Sequence, residues 1–309
     1  MMKRATMGTF SPKASKSYKI RSISLPTRSH PSTHKIEEEL NKLRAWEASS
    51  SSLKVETICS GLSGLGELYK CIEDLLKLPL TQQALSQHQH EKWVIELFDG
   101  PVRYVDICGN TRDAILLMKS SMQELQSALR RRNVADLDIE SNVTTYICFR
   151  RKMKKESTKS LLALKQMDSV TGSPPPLDLA NHLSAVIRVL REASLITSSI
   201  FYSLLLFLSA ALSKPKPNRW SFVSKLMQKG ALLSNNQEEK TNELERVDAI
   251  LSNLLLKNSS KDVEAEKIQS AQKRLESLDA GIEGLENGLE CLFRHLINAR
   301  VSFLNILSS

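Results

Sequence analysis

Apolar residues in roughly the last fifty positions of this chain recur at alternating intervals of three and four. This spacing predicts one long helix with a continuous apolar seam that packs along another helix. Gly281, Gly284 and Gly288 each precede a seam residue, so a second backbone could approach closely beside the seam. These glycines favour packing inside a compact bundle over a two-stranded coil between copies, although the spacing alone fits both. The seam consists of Leu275, Leu278, Ile282, Leu285, Leu289, Leu292, Leu296, Ala299, Phe303 and Ile306.

Helical spacing of apolar residues also runs through most of the remaining chain. Helix-period segments cover much of 36–170 and resume at 177–213, 218–229 and 236–256. Few stretches alternate with the two-residue period of a half-buried strand. We therefore predict an all-α fold, an elongated multi-helix bundle with a disordered basic N-terminal tail and a long C-terminal heptad-patterned helix.

Shifts in composition divide the chain into four parts. Residues 1–35 form a basic, Ser-rich tail, and residues 36–170 form an N-terminal helical half. The Pro-rich stretch 171–176 is a linker to a C-terminal helical half, 177–309, which we expect to pack with the first half as one bundle. Within the first half, Asp99-Gly100-Pro101 predicts a break, with Pro101 at the first position of a new helix.

The net charge of +9 is concentrated in the tail. Residues 1–36 hold eight Lys or Arg and no Asp or Glu, which leaves 35 basic and 34 acidic residues of the chain's 43 and 34 for the body. An electrically balanced body with 5% aromatic residues lacks both the basic groove and the stacking platforms that nucleic-acid binding needs. Nucleic acid is therefore not an expected partner.

Five widely spaced cysteines, with no Cys-x-x-Cys pair, are typical of reduced thiols in a cytosol-like compartment. We interpret them as small apolar core residues. Residues 1–20 lack the apolar run of a secretory signal, so a cytoplasmic protein is expected. The same stretch is basic, Ser-rich and free of acidic residues, so a plastid transit peptide remains an alternative to a regulatory tail.

The tail contains the most specific short motif of the chain. Arg21, Ser22, Ser24 and Pro26 form an Arg-Ser-x-Ser-x-Pro pattern. A 14-3-3 groove recognises this arrangement once the second serine is phosphorylated, because its arginines pair with the phosphate dianion. A chance match in a Ser- and Arg-rich tail is the alternative.

Two further segments bear on membranes. Residues 193–213 carry no charge and are long enough to span a bilayer, but seven serines and threonines dilute them, which favours a buried core helix. The basic run Arg150–Lys155 resembles a nuclear import signal or an anionic-lipid patch. Because it lies inside an amphipathic helix, we interpret it as a solvated helix face.

No nucleophile, base and orienting group can be assembled from the spacing of the residues, and no His or Cys pair has a zinc-site pattern. We therefore expect no cofactor, no metal and no enzymatic activity. The first hypothesis is a helical protein that acts by binding other proteins. The second is a membrane-associated factor anchored through 193–213 or through the basic patches. The oligomeric state stays open.

Six longer stretches are spread over nearly the whole chain: Ser24–Pro31, Gly61–Tyr69, Leu76–Leu85, Val105–Gly109, Leu125–Arg132 and Leu292–Leu307. Together they resemble the plant-specific BYPASS-related family. The resemblance implies a helical protein connected with root and shoot development, with no assigned reaction and no catalytic residues to transfer.

Replacing Ser24 with Ala tests the tail motif. If the motif is functional, Ser24→Ala abolishes capture of the phosphorylated chain by immobilised 14-3-3, because the phosphate that the groove binds can no longer form. Ser17→Ala, in the same tail but outside the motif, is the control and should be captured normally. Unchanged capture of Ser24→Ala would reject the motif.

Overall fold

The computed structural model describes residues 31–49, 53–131, 136–169, 181–210, 241–255 and 261–308. Within these ranges the chain forms eight helices and no strand, so the predicted all-α multi-helix bundle is confirmed. The tail motif at Arg21–Pro26, the linker 171–176 and the segment 218–229 lie outside them. The helices are α1 (Pro31–Ser49), α2 (Val55–Leu76), α3 (Pro79–Ser86), α4 (Lys92–Arg130), α5 (Asp136–Ser169), α6 (Asn181–Leu208), α7 (Glu243–Leu254) and α8 (Lys261–Ser308).

The longest helix, α8, is the element around which α2 and α4 pack. All ten seam residues are buried, with at most 3% of any one exposed. Its glycines face α2 in order: Gly281 lies against Val55, Gly284 against Cys59 and Gly288 against Leu62. Residue numbers therefore rise in the same direction along α2 and α8, which means that the two helices are parallel. The seam packs against helices of this same chain.

Helix α4 packs antiparallel to α8 on the adjacent flank. Three ion pairs join the two helices, and their residue numbers rise along α4 while they fall along α8. The pairs are Arg112 with Glu290 at 2.9 Å, Lys119 with Glu286 at 2.6 Å and Arg130 with Glu276 at 3.2 Å. Each is partly or largely exposed, and such pairs contribute only about 0–1 kcal/mol. The buried apolar side chains therefore supply most of the stability, and the ion pairs favour one register.

Close approach of α2 and α8 depends on the missing side chain at Gly281. A Cβ added there would lie 2.7 Å from Cγ1 and 2.9 Å from Cγ2 of Val55. Val55 is β-branched and buried, so it has little rotamer freedom with which to move away. At Gly284 the nearest atom is the Cys59 thiol, at 2.9 Å, which can rotate.

The apolar helix α6 lies within the bundle and contacts α1, α2, α4 and α5. Its hydroxyl groups have partners: Thr197 contacts the Tyr69 hydroxyl at 3.2 Å, and Ser198 contacts the Tyr104 hydroxyl at 2.8 Å. It is the one described helix that is long and apolar enough to cross a membrane, and 56% of its most apolar window is buried by other helices. Of the uncharged segment 193–213, the structure describes residues 193–210, and many of their side chains are buried in the core of the bundle.

Two boundaries differ from the sequence-based expectation. Helix α1 begins at Pro31 and so includes residues 31–35, which were assigned to the tail, because proline suits the first turn of a helix and Thr33 is already buried. The predicted break at Asp99-Gly100-Pro101 is wrong: α4 runs through it without interruption. Buried Phe98 and Tyr104 hold the helix on either side of Pro101, so packing offsets the hydrogen bond that proline removes.

The interpretation of the basic run as a solvated helix face is wrong for its first residue. Arg150 is fully buried, and its guanidinium donates to both carboxylate oxygens of buried Asp248 of α7, the shortest bond being 2.8 Å. It also donates to the carbonyl of Leu208 at 3.0 Å, at the C-terminal end of α6. A cation there satisfies a carbonyl that has no partner within the helix.

Tyr146 completes this buried cluster by donating its hydroxyl to Asp248 at 3.1 Å. Burial, together with the charge of Asp248, raises the pKa of Tyr146 well above its ordinary value, so the phenol stays protonated. Asn242 adds a bond from its side chain to the carbonyl of Phe207 at 3.4 Å. The cluster thus joins α5, the end of α6 and α7 through paired charges, which is what makes a buried arginine tolerable.

The cysteines follow the expectation only in part. Cys108 is buried and Cys59 and Cys71 are half-buried, whereas Cys148 and Cys291 are exposed. Cys148 lies on α5, and Cys291 lies on α8 beside Gly66 of α2. Helical periodicity alone did not separate the exposed cysteines from the buried ones.

The glycine contacts predict different effects of two alanine substitutions. Gly281→Ala should lower the free energy of unfolding by about 1–2 kcal/mol, because overpacking against Val55 outweighs the roughly 1 kcal/mol gain in helix propensity. Gly284→Ala, whose neighbour can rotate, is the control and should change stability little. Urea unfolding of both variants measures the difference.

A double variant tests the stated cause. Val55→Ala combined with Gly281→Ala should cost less than the sum of the two single changes, because the clash is removed. Equal stability of Gly281→Ala and Gly284→Ala would show that α2 and α8 do not approach as closely as described.

Candidate interaction site

A groove of about 630 Å³ lies between α4 and α5. Helix α5 begins at Asp136, shortly after α4 ends at Arg130, and packs back along α4. A short connection of this kind makes the two helices antiparallel. The face of α4 between 103 and 117 therefore lies opposite the face of α5 between 149 and 167.

The floor of the groove is apolar. Ile107 of α4 and Met153 of α5 are buried in it, and Ala114, Phe149 and Met167 are half-buried around them. On each helix the lining residues are three or four positions apart, so each helix contributes one continuous face. Methionine side chains are flexible and adapt to a variety of apolar surfaces, which suits a binding groove.

The rims of the groove are charged and exposed. Arg103, Asp106 and Asp113 lie on the α4 rim, with a net charge of −1. The α5 rim carries Lys152, Glu156 and Lys159, with a net charge of +1. Each rim therefore has an excess of one sign, and the two signs are opposite.

Few of these charges pair with each other. Lys159 binds Glu156 on its own helix at 3.0 Å, and Asp113 lies 3.8 Å from the guanidinium of Arg112. Among the described residues, Arg103, Asp106 and Lys152 form no ion pair. No described ion pair crosses the groove, so Arg103, Asp106 and Lys152 remain available to a ligand.

Leu117 ends the α4 side of the groove with 55% of its surface exposed. Single exposed leucines are common on protein surfaces. This one adjoins an apolar floor, so it extends the apolar surface that a ligand would cover.

The sequence-predicted sites lie elsewhere. The seam forms the contact of α8 with its neighbours and is inaccessible, and the tail motif is outside the described residues. Of the basic run, Arg150 is in the buried cluster and Lys152 is on the groove rim. The groove itself was missed, because Ile107, Ala114 and Phe149 lie off the main apolar stripes of α4 and α5. Apolar residues beside the stripe on two consecutive helices were the available signal.

Other polar side chains of the described residues contact one another between helices. His295 contacts Glu73 at 2.5 Å, and Asn298 donates to the same carboxylate at 3.3 Å, which joins α8 to α2. Burial raises the pKa of Cys59 to about 11 and that of Cys108 to about 12, so both thiols are protonated at neutral pH. Within the described ranges no three His, Cys, Asp or Glu residues are placed to hold a metal ion.

The family model described as Protein BPS1 matches residues 61–306, most of the chain. The chain belongs to the BPS1 family. This match confirms the resemblance to a BYPASS-related family noted from the sequence. No curated protein and no solved structure matches the chain.

The part matched to the BPS1 family contains every residue of the groove and of the seam. It begins at Gly61, within α2, and therefore leaves α1 outside. Groove and seam accordingly belong to the part of the chain that defines it as a BPS1-family protein.

Proposed function

We propose that this chain is a non-enzymatic interaction protein whose α4–α5 groove binds another protein. The groove supports this proposal because it combines an adaptable apolar floor with charged, exposed rims. Protein interfaces have the same composition, with an apolar centre surrounded by a polar rim.

The resemblance to BYPASS-related proteins connects the proposed role with plant root and shoot development. Phosphorylation of the tail at Ser24, followed by 14-3-3 binding, would regulate it. The compartment that we propose is the cytoplasm. Anchoring through α6 is less favoured, because crossing a membrane would separate Tyr69 from Thr197 and Tyr104 from Ser198.

Comparison of two aspartate variants tests the proposal. Leu117→Asp places a charge at the end of the groove, and Leu80→Asp places the same charge on α3 at a leucine that is also 55% exposed. Burying an unpaired carboxylate under a partner is costly, so Leu117→Asp should reduce capture of groove-bound proteins about tenfold or more. Leu80→Asp should leave their capture unchanged.

The measurement is quantitative mass spectrometry of proteins that co-purify with the full chain from its native tissue. Both variants must first show the wild-type thermal unfolding midpoint. A set of proteins lost with Leu117→Asp and retained with Leu80→Asp supports the proposal. Identical sets for wild type and both variants would contradict it.

A further inference from the structure

The opposed charges on the two rims restrict what the groove can bind. Because α4 and α5 are antiparallel neighbours, the rim that carries Asp106 and Asp113 lies across the groove from the rim that carries Lys152 and Lys159. A ligand between them meets excess negative charge on one side and excess positive charge on the other. A ligand of a single charge sign would be repelled by one rim.

We infer that the groove binds one amphipathic helix of a partner protein, with basic residues along one edge of its apolar face and acidic residues along the other. This inference rests on the proposed function and specifies the partner's chemistry. The basic edge lies beside Asp106 and Asp113 of α4. The acidic edge lies beside Lys152 and Lys159 of α5.

The dimensions of the groove fit a helix. At 1.5 Å per residue, its walls extend over roughly 20–27 Å, the length of a helix of about 14–18 residues. Apolar side chains recur along both walls at separations of one to three helical turns, on the faces that a seated helix would contact. They are Ile107, Ala114 and Leu117 on α4, and Phe149, Met153, Ala163 and Met167 on α5. Seating an amphipathic helix on such a floor is an established mode of peptide recognition.

The same rims disfavour other classes of ligand. Asp106 and Asp113 would repel the phosphates of a nucleic acid, which require a consistently positive surface. A bilayer surface cannot enter a floor that is recessed between charged rims. A helix with two differently charged edges satisfies both rims and covers the floor.

The experiment uses the purified full chain and three fluorescein-labelled helical peptides of about 18 residues, the length set by the groove. All three share one apolar face. The first carries Lys along one edge and Glu along the other, the second carries Lys along both, and the third carries Glu along both. Fluorescence anisotropy titrations give the Kd of each.

The two-signed peptide should bind about five- to tenfold more tightly than either single-signed peptide, since each of those loses attraction at one rim and gains repulsion. The double variant Asp106→Lys, Asp113→Lys makes both rims basic, so it should prefer the all-Glu peptide. Both substitutions are at exposed positions, and an unchanged circular dichroism spectrum checks that the variant is folded. Leu117→Asp should weaken binding of the two-signed peptide, which locates binding at the groove.

Equal affinities for all three peptides would overturn the charge rule while leaving a protein-binding groove in place. Absence of binding by any peptide, when tissue partners are still lost with Leu117→Asp, would show that the occupant is not a helix. Binding that Leu117→Asp does not weaken would place the peptides elsewhere and also overturn the inference. Failure of the proposed function is a separate outcome: the set of proteins captured from tissue would then be the same for Leu117→Asp and for the wild type.

Discussion

The bundle depends on the burial of one apolar seam along α8. This single helix contacts α2 in a parallel arrangement on one flank and α4 in an antiparallel arrangement on the other. Both partners come from the first half of the chain, so the halves cannot separate without exposing the seam to water. Burying apolar surface contributes roughly 25 cal/mol per Å², which makes ten buried seam positions the dominant contribution at these interfaces.

The outer helices are fixed to this core by more specific contacts. Arg150 and Asp248 join α5 to α7, and Arg150 also binds the last turn of α6. Removing one member of a buried ion pair typically costs about 3–5 kcal/mol, because the other charge is left buried and unpaired. The intact pair links α7 to α5 and α6, while most of the packing of α7 is against α8. The groove is formed between α4, which the seam positions, and α5, which packs along α4 and α6 and is linked to α7 by the cluster.

Helical periodicity predicted the all-α fold because intervals of three and four directly report the buried face of a helix. The glycines beside the seam likewise indicated where a second helix approaches. Periodicity could not predict that Arg150 is buried, because its burial requires Asp248, almost a hundred residues away. It also could not predict that α4 continues through Pro101, because Phe98 and Tyr104 stabilise the helix through tertiary packing. The groove depends on the distance between two helices, which one sequence does not specify.

Hydrogen exchange of the full chain tests the central claim most directly. If the seam is internal, backbone amides of residues 275–306 exchange among the slowest in the molecule, and their rates are the same at about 1 and 50 µM protein, because protection requires no second copy. Fast exchange of these amides at the lower concentration, slowing as the concentration rises, would show that the seam is buried between copies and would contradict the account.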